Sequence, residues 1–253
     1  MMGLLESGPF LRERRGSYVF DDFHSFTNAQ LWTSGGTGGN TAFSVTNPDA
    51  TNGQLLCNTN AAADNEVWIT STRKNWLGGQ TLVATNQAGG VLVYETRINY
   101  TEANTNVAGI FVGFSSAFAT GLLAAGAGSL KTNMSAFGVY KLSGSTTWGL
   151  ISSNGTTQLI TLSDKSSVSS NDQILRVEVR TVPGSQVEVS AWLDDLPLLD
   201  PSMPFPRPIK HRISDTGLLK MASGVYVQAG DANAQTLNID YIGLENLRGY
   251  TTP

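Results

Sequence analysis

The chain has 253 residues, a net charge of −4 and a charged fraction of 14%, well below the roughly 25% of a typical soluble domain. Phosphate backbones are bound by clustered Lys and Arg, so this composition speaks against nucleic acid as a partner. The single cysteine, Cys57, excludes an internal disulfide. No run approaches the ~20 apolar residues of a spanning helix, so we expect no membrane partner.

Residues 1–16 carry glycines, a proline and three arginines without any periodicity, which predicts an extended N-terminal arm. They lack the apolar run of a signal peptide, so we expect synthesis in the cytosol without export. Strand-like patterns follow at residues 17–23, 43–45, 54–57 and 67–72. The pairs Gly35-Gly36 and Gly38-Gly39 predict a loop between the first two of these strands.

Two longer strands are predicted at residues 91–100 and 107–115. Residues 118–132 are rich in Gly and Ala, and they predict an excursion that covers a sheet edge or a neighbouring subunit. Strands resume at residues 135–142, 147–152 and 157–162. The pair Asn154-Gly155 predicts a type I′ hairpin turn, because both residues tolerate a positive φ.

The clearest pattern lies at residues 175–200, LRVEVRTVPGSQVEVSAWLDDLPLLD. Two strictly alternating runs flank Pro183-Gly184, and Asp194-Asp195 predicts a second tight turn. Strands at residues 224–228 and 236–244 complete a set of more than ten, with no helix. The chain is therefore predicted to be an all-β, two-sheet antiparallel jelly-roll sandwich over residues 17–248, with residues 249–253 as a tail.

Residues 201–208, PSMPFPRP, hold four of the nine prolines. Alternating prolines favour a polyproline-like conformation, so this stretch predicts a rigid arm within a Pro-rich extension at residues 200–216. Such an arm would lie on the chain's own sandwich or reach a neighbour.

Residues 111–244 resemble the second half of a concanavalin A-like (laminin G-type) jelly-roll. The resemblance rests on the order of the strands, on the acidic turn Asp194-Asp195 and on the pair Asp240-Tyr241 in the last strand. A further resemblance, to virion structural proteins of tailed phages, rests on the loop GDANA at residues 230–234. Members of this fold also include lectins and glycosidases, so the fold alone does not decide the function.

The phage resemblance implies a head decoration (cement) protein, located on the capsid exterior, with the major capsid protein as partner and a homotrimer as the assembly. Aromatic residues and Arg anchor interfaces. The candidate interface residues are therefore Phe10, Arg12, Arg14, Arg15, Phe205 and Arg207. The alternative is a carbohydrate-binding module of a tail fibre or virion surface, with Trp32, Trp76 and Trp148 as candidate stacking platforms. Trp68 and Trp192 lie within strand patterns and are expected in the core.

Catalysis is not expected. A retaining glycosidase needs two carboxylates ~5–5.5 Å apart, and neither Glu178 nor Glu188 has a second acid two residues further on. His24 and His211 are far apart and suggest no zinc site. Asp231 with Asn233, or Asp164 with Asp172, offer oxygen atoms for Ca²⁺, but such residues also form ordinary turns. We therefore predict no cofactor and no metal.

Overall fold

The computed structural model describes residues 16–23, 31–37, 43–49, 52–74, 90–104, 107–124, 129–131, 133–184, 186–214 and 221–247. Within these ranges the regular elements are all strands, and none of the described segments forms a helix that is long and apolar enough to span a bilayer. Of the predicted arm at residues 1–16, residues 1–15 lie outside the described residues, as does the tail at residues 249–253, whereas Gly16 begins the first strand.

The described residues form eighteen strands. The first nine are β1 (Gly16–Asp21), β2 (Trp32–Gly36), β3 (Phe43–Asp49), β4 (Asn52–Asn58), β5 (Glu66–Ser71), β6 (Val91–Glu102), β7 (Ala108–Ser115), β8 (Ser135–Lys141) and β9 (Thr147–Asn154). The second nine are β10 (Gln158–Ser166), β11 (Asp172–Val182), β12 (Gln186–Leu193), β13 (Leu196–Pro197), β14 (Leu199–Asp200), β15 (Arg207–Pro208), β16 (His211–Ser214), β17 (Ala222–Ala229) and β18 (Gln235–Leu247).

The strands form two large antiparallel sheets that pack face to face. Sheet A has the order β13-β12-β11-β6-β18-β4-β3, with β1 also paired to β18 and β16 to β12. Sheet B has the order β10-β9-β8-β7-β17-β5-β2, and β14 and β15 form a separate two-stranded hairpin. The predicted all-β sandwich of two antiparallel sheets is thereby confirmed.

The core lies between the two sheets and follows the period-two alternation of the sequence. In β11, Leu175, Val177 and Val179 are fully buried, whereas Arg176 and Arg180 on the same strand point outward to ion pairs with Glu178. Apolar side chains from nearly every strand join this one cluster. Burial of apolar surface at about 25 cal/mol per Å² is the main stabilisation of such a sandwich, which has no disulfide.

The predicted turns are partly confirmed. Asp194 and Asp195 both have a positive φ and connect β12 to β13, as the sequence predicts. The turn at Asn154-Gly155 differs: of the two, Gly155 alone has a positive φ. Asn154 instead accepts hydrogen bonds from the backbone N–H groups of Thr156 and Thr157 through its side chain, which makes a longer connection than a type I′ turn.

Two predictions around glycine and proline are wrong. Gly35 and Gly36 belong to strand β2, not to a loop, and Gly38 and Gly39 lie outside the described residues. Glycine is needed at position 35 because the ring of Trp68 lies across it, and a Cβ atom there would come within 2.5 Å of that ring. Residues 201–206 form the loop of a hairpin between β14 and β15, so residues 201–208 are not a polyproline arm. Asp200 pairs with Arg207 and Leu199 with Pro208, so the chain reverses direction within this stretch.

The Gly/Ala-rich stretch covers the outer face of sheet B. A single cross-strand row on that face contains Trp68, Tyr226, Phe111 and Tyr140. The described part of the stretch buries Phe118, Leu122, Leu123 and Leu130 against these rings and their neighbours. Residues 125–128 and 132 lie outside the described residues. The expected excursion therefore packs on the chain's own sheet.

His211 joins the two sheets at one edge of the sandwich. It lies on β16 of sheet A, and its Nδ1 and Nε2 atoms contact the hydroxyl groups of Ser152 (3.0 Å) and Thr161 (2.9 Å) of sheet B. The side chain is buried, and this burial lowers the pKa of His211 to about 4. The imidazole is therefore neutral in the folded chain over most of the pH range.

We predict that acidification from pH 7 to pH 4 destabilises the fold through His211. The unfolded chain takes up this proton with a pKa of about 6.5, whereas the folded imidazole stays neutral down to about pH 4. The unfolded state binds more protons in this window, so the free energy of unfolding falls by roughly 3 kcal/mol as the pH is lowered. Urea titrations at both pH values measure this loss. The free energy of unfolding of the variant His211→Gln should fall by less than that of the wild-type chain. An equal fall in both proteins would contradict the assignment of the effect to His211.

Candidate functional site

The outer face of sheet A carries a cross-strand row that runs over five strands. Phe20, Gly243, Glu95, Arg176 and Trp192 are direct neighbours in this order. Directly paired residues of antiparallel strands share one face of the sheet. The row therefore places an aromatic ring at each end, two charged groups in its middle and a position without a side chain next to Phe20.

A β-bulge in the last strand decides which residues of β18 join this face. The register of β18 against β6 shifts between Ile239 and Tyr241. Before the bulge, Leu237 and Ile239 point into the core, and after it Ile242 and Leu244 do so. Because the extra residue Asp240 changes the alternation, Tyr241, Gly243 and Glu245 all lie on the outer face.

Three aromatic rings form a surface that we call the aromatic shelf: Tyr18, Phe20 and Tyr241. The ring centroids of Tyr18 and Phe20 are 6.4 Å apart and those of Phe20 and Tyr241 are 5.4 Å apart, with nearly parallel planes. Tyr18 is 66% exposed and Phe20 is 50% exposed. Large apolar rings this exposed on a sheet face are typical of a binding surface.

A shallow recess of about 120 Å³ lies beside the shelf. Its lining includes the three shelf rings, Val93, Glu95, Arg176, Gly243, Leu244 and Glu245. Gly243 creates the space, because a Cβ atom there would have no heavy atom nearer than 3.9 Å. The recess therefore exists where the cross-strand row lacks a side chain.

The polar groups of the recess are fixed by neighbours. The hydroxyl of Tyr241 donates a 2.9 Å hydrogen bond to Glu95 Oε1. Burial and this carboxylate together raise the pKa of Tyr241 above its ordinary value. The guanidinium of Arg176 lies 5.5 Å from the ring centroid of Trp192 and 3.8 Å from Glu178. The site thus combines flat apolar surfaces with oriented donors and acceptors, an arrangement suited to binding an amphipathic ligand.

Two of the three predicted stacking platforms are buried. Trp32 is 3% exposed and donates from Nε1 to Asp21 at 2.8 Å, and Trp148 is fully buried and donates to Gln173 at 3.3 Å. Neither ring offers a face to a ligand, because each packs under its own strands. Trp76 lies outside the described residues. Trp68 and Trp192 were expected in the core, but both lie partly buried on the outer faces of the sheets.

Two of the predicted interface residues are described, Phe205 and Arg207, and neither belongs to the shelf. Phe205 is 78% exposed, and Arg207 is also exposed, at the hairpin between β14 and β15. Phe10, Arg12, Arg14 and Arg15 lie outside the described residues.

The carboxylates considered for catalysis are engaged in ion pairs. Glu178 contacts Arg180 at 2.7 Å, and Glu188 contacts Arg212 at 2.8 Å. Burial alone would raise the pKa of Glu188, but the cations of Arg212 and Lys210 outweigh it and lower the pKa. The lowered pKa keeps Glu188 ionised near neutral pH, whereas a general acid must hold a proton there.

The proposed calcium ligands are engaged with hydrogen-bond donors. Asp231 accepts from Asn104 and from Asn233, whereas Asp172 accepts from Asn99 and Arg97. In the part of the chain that the structure describes, no three His, Cys, Asp or Glu side chains are grouped as metal ligands. These oxygen atoms therefore stabilise loops and strand ends.

Comparison with known proteins places the chain by fold alone. No protein-family model matches it, and no curated protein sequence does. A protein of unknown function from Shewanella oneidensis MR-1 is similar over 100% of this chain and 99% of its own, with a TM-score of 0.56 and 13% identity. Peanut lectin with a nine-residue peptide is similar over 94% and 100%, with a TM-score of 0.54 and 12% identity.

Acidic winged bean lectin, complexed with methyl-α-D-galactose, matches over 93% of this chain and 100% of its own, with a TM-score of 0.54 and 12% identity. The concanavalin A-like jelly-roll expected from the sequence is therefore confirmed. At these identities the similarity concerns the fold.

Proposed function

We propose that this chain is a carbohydrate-binding module and that the aromatic shelf is its binding surface. The observation that carries the proposal is the set of three stacked rings, two of them exposed by half or more, beside a recess with fixed polar groups. The fold supports it as well, because lectins are among the similar structures and one of them is complexed with methyl-α-D-galactose.

The shelf matches the chemistry of a sugar ring. One face of a pyranose carries mainly C–H groups, and such a face stacks on an aromatic ring, while the hydroxyl groups at its edge need hydrogen-bond partners. Tyr18 and Phe20 supply the stacking surface, and Glu95, Arg176 and Glu245 line the adjacent recess. Donors and acceptors fixed before binding lose little entropy when the sugar arrives.

The two outer faces of the sandwich differ in whether their aromatic residues are covered or exposed to solvent. Leu122, Leu123 and Leu130 are buried over the aromatic row of sheet B, so a ligand would have to displace them to reach those rings. On sheet A the rings of Tyr18 and Phe20 face solvent. We therefore place the sugar on sheet A.

We predict that Phe20→Ala weakens glycan binding by at least about tenfold, a loss of roughly 1.4 kcal/mol. Tyr18→Ala should have a similar effect, because each variant removes one exposed ring from the shelf. A glycan array with bacterial and plant polysaccharides identifies the ligand, and calorimetry with the strongest hit measures the affinity.

Leu162→Ala is the control, since it removes a large apolar side chain that is 48% exposed on β10 of sheet B, away from the shelf. Loss of glycan binding in the control, together with unchanged binding in Phe20→Ala, would show that the glycan site is not on sheet A. The absence of any glycan hit with the wild-type chain would contradict the proposed function.

A second candidate is the phage structural role that the sequence suggests, in which the chain bridges capsid subunits as a decoration protein. The observation in its favour is the exposed ring of Phe205 beside Arg207, because aromatic residues and Arg anchor protein interfaces. The partner would be the major capsid protein, and the location would be the exterior of a virion. The arm with Phe10, Arg12, Arg14 and Arg15 would supply the remaining contacts.

For this candidate we predict that deletion of residues 1–15 abolishes capsid binding and leaves the sandwich folded, because these residues precede β1. Sedimentation with undecorated capsids measures the binding, and the thermal transition measures the fold. Full occupancy of the capsid by the shortened chain would exclude the arm as the anchor.

A further inference from the structure

The hairpin loop at residues 201–206 exposes apolar side chains to solvent, and we call this loop the knob. Phe205 is 78% exposed and Met203 is 50% exposed. Single exposed apolar residues are common on protein surfaces. Two of them within three residues at the tip of a hairpin form a projecting apolar surface that a partner can cover.

The knob is fixed to the sandwich at its base. The carboxylate of Asp200 accepts hydrogen bonds from the backbone N–H and the hydroxyl of Ser202. The Leu199 N–H donates to Asp164 of β10, and Leu198 and Ile209 on either side of the hairpin are buried in the core. The prolines at residues 201, 204, 206 and 208 restrict φ further. A segment held in this way loses little entropy when it binds.

The tip of the knob carries one cation of its own. Arg207 follows the tip directly and has an exposed side chain. Its cross-strand neighbour Asp200 is engaged with Ser202, and the next two cations, Lys210 and Arg212, are paired with Glu188. An occupant of matching chemistry needs an apolar recess with carboxylates beside it.

The chain itself presents such a recess on another surface. The recess beside the aromatic shelf has a volume of about 120 Å³ and is lined by Tyr18, Phe20, Leu244 and two carboxylates, Glu95 and Glu245. Arg176 is the remaining charged group of the lining, so carboxylates predominate. The knob of the same chain does not fill it, since Phe205 is exposed.

We propose that the partner of the knob is a second copy of this chain, with Phe205 of one copy inserted in the recess of the next and Arg207 facing its carboxylates. The knob and the recess are different surfaces, so the contact is heterologous and builds a closed ring or an open filament. A contact of this size belongs to the weak, concentration-dependent class of interfaces. This inference does not depend on the glycan proposal. Where both hold, a sugar and Phe205 compete for the shelf.

Sedimentation velocity of the full chain over a range of concentrations tests the proposal, with two variants that each remove one half of the contact. Phe205→Ala removes the knob. Gly243→Leu fills the recess, and it is compatible with the fold because the new Cβ has no neighbour within 3.9 Å. We expect the wild-type chain to associate, and each variant alone to need at least about tenfold higher concentration.

The decisive measurement is an equimolar mixture of the two variants. Phe205→Ala keeps its recess and Gly243→Leu keeps its knob, so the mixture should form a one-to-one dimer under conditions in which each variant is monomeric. A mixture that stays monomeric overturns the proposal, as does a wild-type chain that remains monomeric up to about 1 mM. Association of Phe205→Ala equal to that of the wild type also overturns it.

Cosedimentation of a monomeric wild-type chain with anionic phosphatidylserine vesicles, lost in Phe205→Ala, would assign the knob to a lipid surface instead.

Discussion

Sheet A depends on the hydrogen bonding of one strand, β18, on both of its sides. On one side β18 pairs with β6 from Gln235 to Leu247. On the other side its first half pairs with β4 and its second half with β1. Strands from the beginning and the middle of the chain are therefore held together by its last described strand. The aromatic shelf and the recess beside it lie across three of these strands, since Tyr18 and Phe20 belong to β1, Tyr241 to β18 and Glu95 to β6.

The sequence predicts the strands well because most of them are half-buried and alternate with period two. The hairpin of β11 and β12 is the clearest case, with Val177 and Val189 inside and Glu178 and Glu188 outside. Strand β2 is missed because its glycines suggest a loop. Gly35 is needed because the ring of Trp68, on the neighbouring strand β5, lies across it, and that is a tertiary contact that no local pattern contains.

The site is harder to predict than the fold, for a similar reason. The alternation in residues 17–21 indicates that Tyr18 and Phe20 share one face of a strand. It does not indicate that this strand pairs with β18, more than two hundred residues further along the chain. The bulge at Asp240 adds a second obstacle, because it reverses the alternation within β18 and brings Tyr241 and Gly243 to the outer face. The buried position of Trp148 likewise follows from packing against Tyr100, which lies on a strand distant in sequence.

The position of β18 has a consequence for synthesis of the chain. During translation β1, β4 and β6 leave the ribosome long before residues 235–247 do. Until β18 has been synthesised, the edges of these strands that pair with it have no permanent hydrogen-bond partner. Unpaired edges of this kind attract other nascent chains. The aromatic shelf is also incomplete until then, since Tyr241 and the glycine that opens the recess arrive with the same strand. The binding surface is thus complete only after β18 has been synthesised, and until then Tyr18 and Phe20 remain exposed to other chains in an unfinished shelf.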